Sequence, residues 1–246
     1  MRCENLRNQL KVLSIPIDAV TMDESVERIY GFMKQPGLHI VATANAEMVM
    51  LAREDEELKN ILNRASLVVP DGAGVLWAAE QKGEHFPERV TGIDLTRRLF
   101  KMAATKNTPI YCLGAADGVA QQAVDNLQRE VGPLNIVGIH SGFFNADEEK
   151  NIIKTIQDGG AKLIFVALGV PKQEKWIAQR LSQLDGVVAM GVGGSFDVLA
   201  GNIPRAPQWM QRHRLEWLYR LYLEPKRITR MVALPKFMFA VKTNKN

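Results

Sequence analysis

Along most of the chain, short apolar runs alternate with amphipathic stretches. Runs at Lys11–Ile15, His39–Thr43, Leu67–Val69, Ile110–Leu113, Asn135–Ile139, Leu163–Leu168 and Val187–Gly191 read as strands. Several are nearly unbroken β-branched or aliphatic sequence, as a parallel sheet covered on both faces requires. Between them, Val26-Ile29-Tyr30-Met33, Leu58-Ile61-Leu62, Ala120-Ala123-Val124-Leu127 and Ile177-Leu181-Leu184 each repeat at the spacing of one buried helical stripe. Strand–helix alternation with short connections predicts an α/β fold: a Rossmann-like, open, mostly parallel sheet with helices on both faces.

The pattern changes near residue 201. Leu215–Leu223 predicts a short amphipathic helix, and Pro225 favours a break before a second, basic one carrying Lys226, Arg227 and Arg230 on one face. The expected organisation is therefore a Rossmann-like domain over 1–200 and a small helical appendage over 201–246.

Charge sharpens this boundary. The net charge of +4 divides into +8 after residue 200, where ten Lys/Arg face Glu216 and Glu224, and −4 before it. Six of the 17 aromatic residues also lie in the tail, among them Trp209, Trp217, Tyr222 and Phe239. A basic segment can seek nucleic acid, anionic lipid or substrate phosphates, and interleaved apolar bulk favours a lipid interface over a duplex backbone. No signal peptide and no run of about 18 uncharged apolar residues is evident, so a cytoplasmic protein lying peripherally on the inner membrane face is expected. Cys3 and Cys112 are too far apart for a zinc-type spacing, which agrees with a reduced compartment.

Candidate chemistry concentrates where strands hand over to helices, because ligands of open parallel sheets bind beyond the carboxyl ends of the strands. These junctions read Thr43-Ala44-Asn45-Ala46-Glu47, Pro70-Asp71-Gly72-Ala73-Gly74, Gly114-Ala115-Ala116-Asp117-Gly118, Gly169-Val170-Pro171-Lys172-Gln173-Glu174 and Gly191-Val192-Gly193-Gly194-Ser195-Phe196-Asp197. Glycine admits close backbone approach, and helix N-termini offer free N–H groups to phosphate, so a nucleotide-type ligand is indicated. Asp71 is either a helix N-cap or a general base at the open sheet edge. Asn45 is a natural N-cap, whereas Thr43 has no evident structural duty. Glu174 is explained by the helix macrodipole alone, which leaves Gln173 as the better ligand candidate. Arg89 reads as a solvated arginine between helices, and Asp55 as part of an acidic helical surface.

Other chemistries fit poorly. The Gly191–Asp197 segment is neither GxGxxG, since Phe196 holds the sixth position, nor GxSxG, since Asp197 holds the last. A nicotinamide-dependent oxidoreductase is disfavoured accordingly. The acidic core and apolar tail argue against a nucleic-acid-binding module. His39, His85, His140 and His213 lack metal-ligand spacing and no DxD triplet occurs, so no metal and no cofactor is expected.

Taken in order, the Thr43–Glu47, Pro70–Gly74, Pro87–Arg89, Pro171–Glu174, Gly191–Asp197 and Leu215–Arg220 motifs resemble the WecG/TagA/CpsF glycosyltransferases, glycosyltransferase family 26, with wording closest to the TagA branch. The likeness runs from about Val12 to Phe239. Ala44 stands where a proline is common in that family, and Arg214 where a glycine is.

The resemblance implies an inverting, metal-independent enzyme that moves N-acetylmannosamine from UDP to N-acetylglucosamine on undecaprenyl diphosphate, beginning the wall teichoic acid linkage unit. It implies Asp71 as general base, with Thr43, Arg89 and Gln173 lining the pocket and Arg220, Arg227 and Arg230 reaching it from the appendage at the membrane surface. Asn45, Gly191, Gly193, Gly194 and Ser195 are the further candidates for substrate contact. The alternative within the same fold is another UDP-sugar donor, such as the N-acetylmannosaminuronic acid conjugate. The expected partners are the UDP-sugar, the lipid-linked acceptor and the membrane, with no nucleic acid; a homo-oligomer stays open.

Overall fold

The computed structural model describes residues 7–225, 228 and 232–243. Its centre is a six-stranded, all-parallel sheet ordered β4-β3-β8-β7-β5-β6. These strands are β3 (Leu38–Ala44), β4 (Leu67–Pro70), β5 (Ile110–Gly114), β6 (Ile136–His140), β7 (Leu163–Ala167) and β8 (Val187–Gly191). They correspond closely to six of the runs read from the sequence.

Alternation along each strand sorts side chains between the two faces. Val41, Leu67, Cys112, Phe165 and Met190 share a core with α1 (Met22–Phe32), α5 (Gly92–Lys106), α6 (Val119–Val131) and α9 (Ser195–Leu199). Ala42, Ala44 and Val68 face the opposite side, toward α2 (Ala46–Glu54), α3 (Glu56–Arg64) and α4 (Ala73–Glu80). Farther along that face, Tyr111, Ile164 and Ala189 meet α7 (Ala146–Asp158) and α8 (Lys172–Arg180). Residues buried on both faces leave the strands almost no polar positions, which is why the runs look continuous in sequence.

The first predicted strand is different. Residues 11–15 are not one strand of the sheet but parts of a separate antiparallel hairpin, β1 (Gln9–Val12) and β2 (Ile15–Asp18). Leu13 and Ser14 form its turn at φ 47° and 75°, the left-handed conformation of tight primed turns. Neither is a glycine or asparagine, so no turn signal is visible in the sequence. The fully buried Asp18 ties this hairpin to the sheet: it accepts from Val68 N (2.8 Å) and from Arg7 Nε (2.9 Å).

Two further expectations shift. The stripe through Leu181 and Leu184 outlasts its helix, since α8 ends at Arg180 while both leucines stay buried. Asp55 is not mid-helix surface: it separates α2 from α3, caps α3 by accepting from Leu58 N (3.0 Å), and pairs with Lys175 (2.7 Å).

The C-terminal segment contains α10 (Gln208–Arg212), α11 (Glu216–Leu223) and α12 (Ala233–Thr243). The expected Leu215–Leu223 helix is thus present, whereas the basic face of Lys226, Arg227 and Arg230 lies outside the described residues. Helix α12 packs against α2 and α4, and its Phe237 is wholly buried in the same core as Met48 and Val75. Change in composition at residue 201 therefore does not coincide with a gap in packing. Among the described residues no helix is long and apolar enough to cross a membrane.

Removing this buried carboxylate strips the Val68 N–H of its acceptor and Arg7 of its counter-charge, leaving Arg7 only its bond from Nη1 to Ala65 O (2.8 Å). Asp18→Ala should lower the unfolding free energy by about 3 kcal/mol, seen as a lower urea midpoint at unchanged slope.

Candidate active site

Strand register brings the β3 and β4 ends level, with Thr43 opposite Val69 and Ala44 opposite Pro70. The pairing continues past the strands. Asp71 N and Gly72 N both donate to Ala44 O (3.0 and 3.1 Å), and Val90 N donates to Pro70 O (3.0 Å). These bonds place Asp71 beside the β3–α2 turn and carry Arg89, next to Val90, alongside it. At that turn Asn45 caps α2 by accepting from Met48 N (2.9 Å), as its sequence position suggested.

Asp71 is not a cap. Gly72 occupies the N-cap position of α4 and makes no side-chain bond there. The Asp71 carboxylate instead accepts from the Gly92 backbone at the start of α5. Gly92 packs closely here: a Cβ would lie 3.2 Å from Thr43 Cγ2, so that methyl would have to give way slightly, and in ordinary contact with Asp71 Oδ2 at 3.6 Å. Thr43, itself buried on β3, and Asp71, just beyond β4, thus both approach Gly92.

Above them opens a cavity of about 420 Å³ lined by Asn45, Asp71, Trp77, Arg89, Ser195 and Arg220, among others. Its far wall comes from the C-terminal segment, through Arg214, Glu216, Trp217 and Leu234. Burial pushes the Asp71 carboxyl up from its ordinary 3.8 to about 6, against the pull of the Arg89 guanidinium and the Gly92 N–H. A carboxylate poised near 6 is ionised at neutral pH yet more basic than an exposed one, as proton abstraction requires.

Arg89 is no free surface arginine. Its Nε donates to the Asp71 carbonyl oxygen (2.7 Å) and its Nη2 pairs with Glu216 (2.8 Å). Arg220 Nη2 donates to Gly194 O (3.2 Å), joining the C-terminal segment to the glycine-rich turn after β8. Ser195, buried at the start of α9, reaches both that turn and the cavity.

Gln173 stands apart from this group. It is buried in the first turn of α8, does not line the large cavity, and accepts from Gly193 N through Oε1 (3.0 Å). Its Nε2 donates to Glu174 Oε1 (2.7 Å). Gly191 makes room for this pair, because a Cβ there would fall 2.4 Å from Gln173 Nε2. Gly191, the last residue of β8, therefore accommodates a buried amide–carboxyl pair in the protein's own interior. Arg227 and Arg230 lie outside the described residues.

Two participants escaped the sequence reading. In the sequence Glu216 appears as one of two acids in a basic tail, within the Leu215–Arg220 motif, and nothing local links it to Arg89. The helix dipole alone accounts for Glu174 in the sequence, yet only 1% of it is exposed, and its Oε2 has no hydrogen-bond partner among the described residues. Burial raises its carboxyl from 4.5 to about 7, opposed by the Gln173 amide.

That shift has a definite sign. The folded chain holds the Glu174 proton more tightly than the unfolded chain, so its contribution to stability declines as pH rises from 4.5 to about 7. Glu174→Gln cannot lose that proton. Its stability relative to the parent should rise across this interval by on the order of 3 kcal/mol and then level off, as read by denaturant melts at pH 5 and 8.

A base-like carboxylate, flanking arginines and an open sheet edge are the parts of a group-transfer site. Comparison with known proteins specifies the group. Residues 10–246 match the model of the glycosyl transferase WecG/TagA/CpsF family. Proteins of Staphylococcus aureus strains NCTC 8325 / PS 47 and MRSA252, both named N-acetylglucosaminyldiphosphoundecaprenol N-acetyl-beta-D-mannosaminyltransferase, are 33% identical to this chain. Each alignment covers 98% of the chain and 96% of the relative. With the match extending over nearly every element described above, the chain belongs to the WecG/TagA/CpsF family of glycosyltransferases.

Proposed function

We propose that this glycosyltransferase moves N-acetylmannosamine from its UDP conjugate to the 4-hydroxyl of N-acetylglucosamine on undecaprenyl diphosphate, with inversion and without a metal ion. The observation that carries the reading is Asp71: a carboxylate lifted to about 6 on the floor of a cavity that Arg89 and Arg220 also line. The named activity of the 33%-identical relatives supplies the sugar and the lipid-linked acceptor.

In this mechanism the acceptor hydroxyl oxygen attacks the anomeric carbon from the face opposite UDP. Asp71 takes the hydroxyl proton while the bond from the anomeric carbon to the diphosphate oxygen breaks and UDP departs with its electron pair. Negative charge grows on the leaving diphosphate and needs fixed positive partners. Arg89, Arg214 and Arg220 are, among the described residues, the cations that line the cavity. Among the described residues no three His, Cys, Asp or Glu side chains gather as a metal-ligand set. Asn45, in the cavity wall, is suited to sugar hydroxyls, while the buried Thr43 packs behind Gly92 and Gln173 holds the Gly193 backbone from behind.

The acceptor's lipid would keep the enzyme at a membrane surface. Trp209, Tyr222, Ile228 and Phe239 are all more than half exposed, an apolar excess in a segment of net charge +8. Exposed aromatics together with basic residues suit shallow insertion among anionic headgroups.

Purified protein supplied with a short-chain lipid diphosphate acceptor and a panel of UDP-sugars should turn over the N-acetylmannosamine donor, and turnover of the uronic acid alone would overturn the donor assignment. Asp71→Asn should keep UDP binding and lower kcat by at least about a hundredfold. In the parent, kcat/KM should fall tenfold per unit below a pH near 6, where Asp71 gains its proton and can no longer accept one. Activity should persist in EDTA; loss on chelation with recovery on adding Mg²⁺ or Mn²⁺ would contradict the metal-free route. Replacing Tyr222 and Phe239 together by serine should weaken sedimentation with anionic liposomes while leaving the melting temperature within a few degrees.

A further inference from the structure

Glu216 opens α11 and makes two ion pairs, one to Arg89 on the cavity floor and one to Arg205 within the C-terminal segment. Its Oε2 meets Arg89 Nη2 at 2.8 Å and its Oε1 meets Arg205 Nε at 3.5 Å. Arg89 in turn donates from Nε to the Asp71 carbonyl at 2.7 Å, so an unbroken chain of contacts runs from α11 to the residue bearing the carboxylate. Arg205 closes the loop by forking onto both Asp94 oxygens at 2.6 Å. Asp94 also accepts from the hydroxyl of Thr91, which caps the helix whose first residue, Gly92, touches Asp71. Arg89 and Glu216 side chains are only 21% and 20% exposed, so water competes weakly for the pair. A guanidinium on a flexible stem needs two anchors to be fixed, and Arg89 has one on the sheet side and one on the appendage side.

We infer that Glu216 is a positioning residue that acts through Arg89: seating the C-terminal segment and aligning the Asp71 end of the cavity are a single event. Arg89 cannot take its place over Asp71 unless α11 is docked. The segment is thereby a working part of the site as well as its outer wall.

The charged groups facing Asp71 give this a signature. Arg89 draws its carboxyl down, while Glu216 and Asp94 push it up, and the influence of Arg89 exceeds that of Glu216. Were Glu216 only a neighbouring charge, removing it would move the acid limb of activity to lower pH. Removing it as the holder of Arg89 cancels the larger, opposite influence and moves the limb upward.

The kinetic arm rests on the transfer reading; a second arm does not. In ¹⁵N spectra of the full chain, with Arg89 assigned by Arg89→Lys, the Arg89 Nε–H should exchange slowly with water and at least about tenfold faster in Glu216→Ala. Glu80→Gln, which breaks the separate 3.0 Å pair to Arg214, should leave that exchange unchanged. Glu216→Gln keeps the shape of the side chain and should give an intermediate rate, guarding against simple unfolding of α11. In turnover, Arg89→Ala and Glu216→Ala should each lower kcat by about tenfold or more, with the double variant no worse than Arg89→Ala. The acid limb of Glu216→Ala should shift upward. Unchanged Arg89 exchange in Glu216→Ala would overturn the inference whatever the activity, as would additive losses or a downward shift. Absence of any sugar transfer by the parent protein would sink the proposed function and leave the exchange measurement to decide this one.

Discussion

Parallel strands that are mostly buried on both faces must satisfy their backbone groups chiefly in one another, with Asp18 taking the edge Val68 N–H, and this constraint orders the rest of the molecule. Side chains from Val41 to Met190 are committed to packing, so functional groups are confined to the turns beyond the strand ends. The ladder's last bonds do double duty there. Asp71 N and Gly72 N donating to Ala44 O, and Val90 N donating to Pro70 O, extend the sheet by one step and deliver Asp71 and Arg89 to the same place. Precision at the site is thus inherited from the most rigid part of the fold.

At this edge two opposed effects set the chemistry of Asp71. Desolvation makes the charged form costly, and Arg89 with the Gly92 N–H makes it favourable. Desolvation wins, and the result is a carboxylate more basic than one in water yet ionised near neutrality. Glu174 shows the same desolvation with weaker opposition: only the Gln173 amide and a backbone bond act against it, and its carboxyl rises to about 7. The contrast separates their roles. Asp71 has a cavity and a guanidinium beside it, whereas Glu174 has a buried amide that holds Gly193 and belongs to the support behind the site.

The C-terminal segment carries two kinds of surface. Phe237, Ala240 and Val241 are core residues, and Glu216 and Arg220 bind the site's loops, while Tyr222 and Phe239 face outward. A segment anchored by core packing can keep its exposed aromatics at a constant height relative to the cavity. Such an arrangement suits the proposed lipid-linked acceptor, whose reacting sugar would have to reach the cavity from a membrane surface.

By itself the sequence determined the layered α/β architecture, six of the eight strands, the α11 helix and the family, because hydrophobic period and ordered motifs are local properties of the chain. It also determined the cap at Asn45, whose partner lies three residues away. Only the tertiary structure decided the β1–β2 hairpin, whose turn uses left-handed Leu13 and Ser14 in place of the usual glycine or asparagine. Likewise it decided that Asp71 turns to Gly92 instead of capping α4, that Glu174 is buried, and that Arg89 is gripped by Glu216 across 127 positions of sequence. Desolvation and long-range ion pairing depend on what the fold brings around a side chain, and no spacing along the chain encodes that.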